Sequence, residues 1–181
     1  MTLQLRYYPD DVLRKRALPV QFSAAQQPED SILQLIARMK EVMQEDEGIG
    51  LAATQVGVLQ RVVVIDIPPD EEITTPQQYV MLNPEILSAS DEKATQREGC
   101  LSLPDLYAEI TRPAHIKVGF INEQGKAQEI EATGLLSACI QHEIDHLNGV
   151  LFIDYLTRLK RDSLLRRLQK MRKFSKSEQP I

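Results

Sequence analysis

The stretch Gln141-His142-Glu143-Ile144-Asp145-His146-Leu147 constrains the chain more than any other, because it sets two of only three histidines four residues apart with an acid directly after the first. On a helix, residues i and i+4 stand one above the other, so both imidazoles face the same way. Leu135, Leu136, Ile140, Ile144 and Leu147 recur at helical spacing around them, which predicts a helix buried in the protein. Buried imidazoles need partners. Two neutral rings so placed can ligate one divalent metal, and a glutamate one residue round the helix can reach the water that completes the metal's shell. The pattern predicts metal-activated hydrolysis. A chance surface pair or a packed polar face is the plainer alternative.

Two imidazoles alone rarely hold a catalytic metal, so a third ligand is needed. Long metalloprotease signatures continue with Gly three residues after the second His and a third His three residues beyond. Gly149 fits the first of these slots, but Phe152 fills the second, which excludes that protease family. A glutamate on a downstream helix is the other common solution. From Tyr155 onward the only acids are Asp162 and Glu178, both in a stretch that reads as exposed. His115, after Arg112-Pro113-Ala114, reads as a turn or surface histidine. Two cysteines remain. Cys139 lies three residues before His142 and could share its helix face, whereas Cys100 belongs to the separate segment Glu98-Gly99-Cys100-Leu101-Ser102. Spacing does not choose between them. A ligand from a second segment closes a cage better than three from one helix, which favours Cys100, and leaves Cys139 as a small buried hydrophobe.

Three segments together resemble the peptide deformylases, metal hydrolases that remove the formyl group from the N-terminal methionine of new proteins. They are Gly48-Ile49-Gly50-Leu51-Ala52-Ala53-Thr54-Gln55, Glu98-Gly99-Cys100-Leu101-Ser102 and Gln141-His142-Glu143-Ile144-Asp145-His146-Leu147, in the family's order and at roughly its spacing. Tyr8-Pro9-Asp10 with Leu13-Arg14 also looks familial, and the likeness runs to about Leu156. The resemblance implies one divalent ion on Cys100, His142 and His146, with iron as the native metal and zinc, nickel or cobalt as substitutes. It implies Glu143 as proton carrier, and the Gln55 amide and Leu101 backbone N–H as stabilisers of the tetrahedral oxyanion. It also implies a methionine pocket of Ile49, Gly50, Leu135, Ala138 and Cys139, with backbone around Ile49 and Gly50 pairing with an extended substrate. From the residues alone, the glycine-rich stretch could equally cap a helix and turn, and Cys139 could be inert filler.

The rest of the chain reads as α+β, with mixed or antiparallel strands packed around the metal-binding helix, an N-terminal helix and a C-terminal amphipathic one. Asp30 or Ser31 is a good N-cap for a helix carrying Ile32, Leu33, Ile36, Met39 and Met43 as far as Gly48. Leu3 to Tyr8 is a short extended stretch. Arg61–Ile67 is the clearest strand, Tyr79–Leu82 another, and a further one lies between Glu85 and Arg97. Ile116–Ile121 and Gln128–Ala132 flank a turn and predict a hairpin. With 181 residues and 43% hydrophobic composition, the chain suits one compact domain. Residues 1–156 form its catalytic part and 157–181 a basic helix and frayed tail. No leader and no span-length apolar run is present, and the cysteines suit metal and core better than a disulfide, so a cytoplasmic protein is expected.

Charge is segregated along the chain. Thr157 to Lys176 holds nine of the 21 bases and one of the 26 acids, so the remainder carries twelve bases against 25 acids. Leu164, Leu168 and Met171 make an apolar stripe through this basic stretch. It reads either as a solvated helix docked on an acidic body or as an attachment to RNA or another anionic surface; the family likeness implies contact with the ribosome, beside formylmethionyl nascent peptides as substrate. No membrane and no sequence-specific nucleic acid is expected as partner. Two rival functions share part of this pattern. A zinc peptidase acting on internal bonds would use the histidines and Glu143, but leaves the first two segments unexplained. A metal-stabilised, non-catalytic ribosome-binding module has no need of Glu143.

Overall fold

A computed structural model describes residues 3–69 and 74–177. In chain order the regular elements are α1 (Asp30–Glu45), β1 (Gly50–Ala52), β2 (Val62–Ile67), β3 (Gln77–Ala89), β4 (Lys93–Cys100), β5 (Leu103–Pro113), β6 (His115–Ile121), β7 (Ala127–Thr133), α2 (Gly134–Leu147) and α3 (Arg158–Ser177). The strands make a five-stranded antiparallel sheet in the order β1-β2-β3-β6-β7 and a separate β4–β5 hairpin. This is the expected α+β class.

The alternation of side chains along β2 explains the layers. Val63, Ile65 and Ile67 face α2, meeting its Ile140, Ile144 and Leu147. Val62 and Val64 face the other way, onto Ile36, Met39 and Met43 of α1. A strand buried on both faces reads as an unbroken β-branched run, which is why Arg61–Ile67 was legible. A third cluster, with Leu103, Leu106, Ile110 and Phe152, fills the space beneath the hairpin and takes Leu168 of α3. Of the 14 residues of α2, 11 are buried, so the polar groups on that helix are held in a closed interior.

Several boundaries differ from the sequence reading. The residue before α1 is Glu29, which makes no side-chain cap bond, so neither Asp30 nor Ser31 is the cap; the helix ends at Glu45, and Leu33 stays substantially exposed. Gly50–Ala52 is an edge strand rather than a helix cap. Tyr79–Leu82 does not stop at Asn83-Pro84. β3 runs on to Ala89, because Asn83 adopts φ +52° and its side chain bonds both Val20 N–H and Val20 C=O, which turns a break into a bulge. β5 was not anticipated: Asp105 has φ +60°, and Pro104 and mixed polarity conceal its alternation. The hairpin of β6 and β7 is as expected, closed by Asn122, whose side chain accepts from Gln124 N–H and Lys126 N–H. Helix α3 reaches Ser177, although fraying was expected from Ser175 onward; residues 178–181, and with them Glu178, lie outside the described residues.

Candidate metal centre

Two elements meet at the site. Cys100 ends β4 at the tight turn into β5, where it pairs with Leu103, and α2 passes beneath it. His142 and His146 lie one helical turn apart, their rings edge to face with centroids 4.9 Å apart. Cys100 Sγ lies 3.1 Å from His146 Nε2, which lies 3.2 Å from His142 Nε2. The three ligand atoms fall within 4.8 Å of one another, and they are the one such group among the described residues. Cys139 is not in it. Its sulfur points to the Ile49 carbonyl, 3.8 Å away, so the choice between the cysteines is made by the hairpin, which carries Cys100 over the helix. Phe152, in the slot that excluded the long protease signature, stacks on the His142 ring. His115 and Asp162 sit at the surface, pairing with Glu92 and Arg158.

The residues present fit a divalent ion. His142 Nδ1 is 2.9 Å from Glu98 Oε2; accepting the proton on Nδ1, the carboxylate leaves Nε2 as a lone pair facing its neighbours. Two ring nitrogens and a sulfur facing inward at about 3 Å repel unless something positive lies between them. A proton can serve only one pair. Burial would lower the His142 pKa, but hydrogen bonds with Cys100 and Glu98 raise it well above its usual value, whereas burial and the His142 charge push His146 well below. A divalent cation would satisfy all three donors together. Two further atoms of the site are left over: Glu143 Oε2 and His146 Nδ1 are each buried without a hydrogen-bond partner among the described residues, and burial raises the Glu143 carboxyl to about 7.

Glu98 is held in turn. Burial alone would raise its pKa, but bonds from His142 and a two-pronged bond from Arg112, at 2.6 and 3.0 Å, lower it. Arg112 also donates to Asp145 at 2.8 Å and lies over the Tyr155 ring, whose hydroxyl donates to the same Asp145. Glu98, Arg112, Asp145 and Tyr155 had no role in the sequence reading. The need for a carboxylate behind His142 is general, but nothing in one sequence says which of 26 acids the fold brings there.

The cleft above the metal group measures about 490 Å³. Every other expected site residue borders it: Gln55, Leu101 and Glu143 near the donors, and Ile49, Gly50, Leu135, Ala138 and Cys139 along one side. Gln55 Oε1 accepts from Ala52 N–H at 2.9 Å, which fixes the amide so that its NH2 faces Cys100 Sγ and Ser102 Oγ. A Cβ on Gly50 would come within 2.7 Å of a Glu143 oxygen and 2.8 Å of Cys139 sulfur, so only glycine lets β1 approach α2 this closely. The Ile49 carbonyl is bonded to Asp66 N–H. Antiparallel alternation therefore turns the Gly50 N–H and C=O away from β2, toward the open edge of the sheet.

The sequence matches the polypeptide deformylase family over residues 2–162. The chain belongs to that family. A peptide deformylase of Agrobacterium fabrum is 49% identical over 162 residues, covering 90% of this chain and 91% of its own. The crystal structure of peptide deformylase from Ehrlichia chaffeensis superposes with a TM-score of 0.88 at 35% identity, covering 97% of this chain and 99% of that one. A class I type b peptide deformylase from Acinetobacter baumannii, with Met-Ala-Ser bound, gives 0.77 at 34% identity over 86% of this chain and 99% of its own. Deformylases hydrolyse the N-formyl group from the N-terminal methionine of newly made proteins and release formate, in a metal-dependent reaction. That is the activity of this chain. No helix among the described residues is long and apolar enough to cross a membrane.

Proposed function

We propose that Cys100, His142 and His146 hold the metal, that the metal is ferrous iron, and that Glu143, Gln55 and Leu101 carry out the hydrolysis around it. The closure of one cysteine sulfur and two imidazole nitrogens into a single inward-facing group carries this reading. A sulfur ligand makes the site soft enough for iron, with zinc, nickel or cobalt able to replace it. When bound, the ion supplies Lewis acidity, lowering the pKa of a coordinated water and drawing charge from the formyl oxygen.

The protein's own groups do the rest. Glu143, one residue from His142 with an unpartnered oxygen at the cleft, accepts a proton from water as the water oxygen bonds to the formyl carbon. The Gln55 NH2 and the Leu101 N–H donate to the oxygen that becomes negative. The C–N bond then breaks, Glu143 returns its proton to the departing amine, and formate and a free N-terminus result. Ile49, Gly50, Leu135, Ala138 and Cys139 shape the hole for the methionine side chain. The outward-facing Gly50 N–H and C=O pair with the peptide as an added strand, a mode that suits the Met-Ala-Ser seen in the Acinetobacter enzyme.

Residues 1–156 form the catalytic part of a single domain, and the basic α3 adds ribosome contact, supported by its charge; its Leu164, Leu168 and Met171 pack inward. Substrates emerging from ribosomes place the reaction in the cytoplasm. The test is metal counted per protein after anaerobic purification. Cys100→Ser should lose or exchange the ion and Cys139→Ser should retain it; the reverse pattern would assign the wrong cysteine.

A further inference from the structure

The outer face of the β4–β5 hairpin forms the wall of the cleft opposite β1, and its chemistry is not needed for deformylation itself. Side chains alternate along β4, so Glu98 points inward to His142 while Arg97 and Gly99 point outward. Gly99 pairs with Tyr107 across the hairpin. A Cβ on Gly99 would lie 2.6 Å from Tyr107 Cε1 and 2.8 Å from Cδ1, so the phenol ring lies flat over a position that only glycine leaves open. The Arg97 guanidinium carbon sits 4.6 Å from the centre of that ring. Ring and guanidinium form a stacked pair at the lip of the cleft, and Tyr107 is 52% exposed.

The charge of Arg97 is not neutralised there. Among the described residues it makes no ion pair, and Glu109, its cross-strand neighbour, is not bonded to it. Among the described residues Arg97 is also the sole Lys or Arg bordering the cleft, whose remaining rim carries Asp46, Glu47 and Asp105. A peptide leaving the metal centre thus passes between an acidic rim and one exposed guanidinium. Stacking holds the side chain extended before any ligand arrives, so less freedom is lost when a carboxylate binds.

We propose that Arg97, seated on Tyr107, is a specificity-determining residue that favours substrates with an acidic side chain among the residues that follow methionine. The inference rests on the reading of the cleft as the peptide site. It predicts binding that is equal in ground and transition states, so the preference appears in KM and leaves kcat alone.

The experiment compares formyl-methionyl tetrapeptides bearing Glu, Gln or Lys in turn at each of the three positions after methionine, at low and high salt. At one position Glu should exceed Gln in kcat/KM by about two- to fivefold, as an exposed ion pair allows. The advantage should shrink with salt. In Arg97→Gln the Glu-to-Gln ratio should fall to about one, and in Arg97→Glu it should invert in favour of Lys, at the scale of an exposed pair. Formate release from the Gln peptides with no charge preference at any position, or a Glu preference that survives Arg97→Gln, overturns this inference alone. No formate from any peptide overturns the reading of the cleft and the inference with it.

Discussion

Replacing Glu98 by Gln removes one charge and no volume, and the structure says where the damage goes. The carboxylate faces three donors, Arg112 Nε at 2.6 Å, Arg112 Nη2 at 3.0 Å and His142 Nδ1 at 2.9 Å. An amide offers one acceptor and one donor in the same space. If its NH2 turns to His142, Nδ1 must accept, the ring proton moves to Nε2, and His142 can no longer ligate. If the NH2 turns to Arg112, two donors oppose each other at a buried guanidinium. Either outcome costs about 1–3 kcal/mol of stability, and loss of the group behind a ligating histidine lowers metal affinity by roughly 10- to 100-fold. The assay is competition for cobalt or zinc against a chromophoric chelator, with urea unfolding on the same preparation. A folded Glu98→Gln variant that binds metal within about twofold of the parent would refute the argument that this carboxylate sets the ring's tautomer.

The other expectations follow from neighbouring atoms. Glu143→Gln should keep its metal while kcat drops by at least about 10²-fold, the range of a positioned proton carrier; near-normal turnover would remove Glu143 from that role. Gly50→Ala should retain metal and lose activity, because its methyl group would meet Glu143 and Cys139, and unchanged kinetics would show that β1 can recede freely. Gly149→Ala should lower stability by about 1–3 kcal/mol or more, since Gly149 has φ +75° and a Cβ there would lie 2.4 Å from the Arg14 carbonyl; a urea midpoint equal to the parent's would contradict this. Removing the basic end of α3 beyond Met171 should weaken co-sedimentation with ribosomes at low salt while peptide deformylation persists, and unaltered co-sedimentation would assign the contact elsewhere.

The helix and its two histidines were legible because their information is local: a spacing of four on a face, set among apolar residues. Strand β2 was legible for the same kind of reason, being apolar on both faces. What could not be read depends on long-range closure. Cys100 is 42 residues from His142; it was favoured as a ligand from a second segment and by the family likeness, but spacing left Cys139 open, and it is the hairpin's path that carries Cys100 to the imidazoles. Arg112 had no role in the sequence reading, yet it is buried and anchored by Glu98 and Asp145, residues 14 and 33 positions away. Gly149 matched a protease signature in part, and its actual reason is a left-handed turn against Arg14. Asn83-Pro84 looked like a strand end because its capping partner, Val20, is 63 residues away.

The central claim is that one divalent ion on Cys100, His142 and His146 serves removal of formyl groups from methionine. The direct measurement is formate released from a formyl-methionyl tripeptide by protein purified without oxygen, with metal counted in the same sample before and after chelation. The account predicts formate release in proportion to one bound iron per chain, lost on chelation and restored by ferrous ion, without cleavage of internal bonds. Metal bound at that stoichiometry with no formate formed, or formate formed equally well after complete chelation, would contradict it.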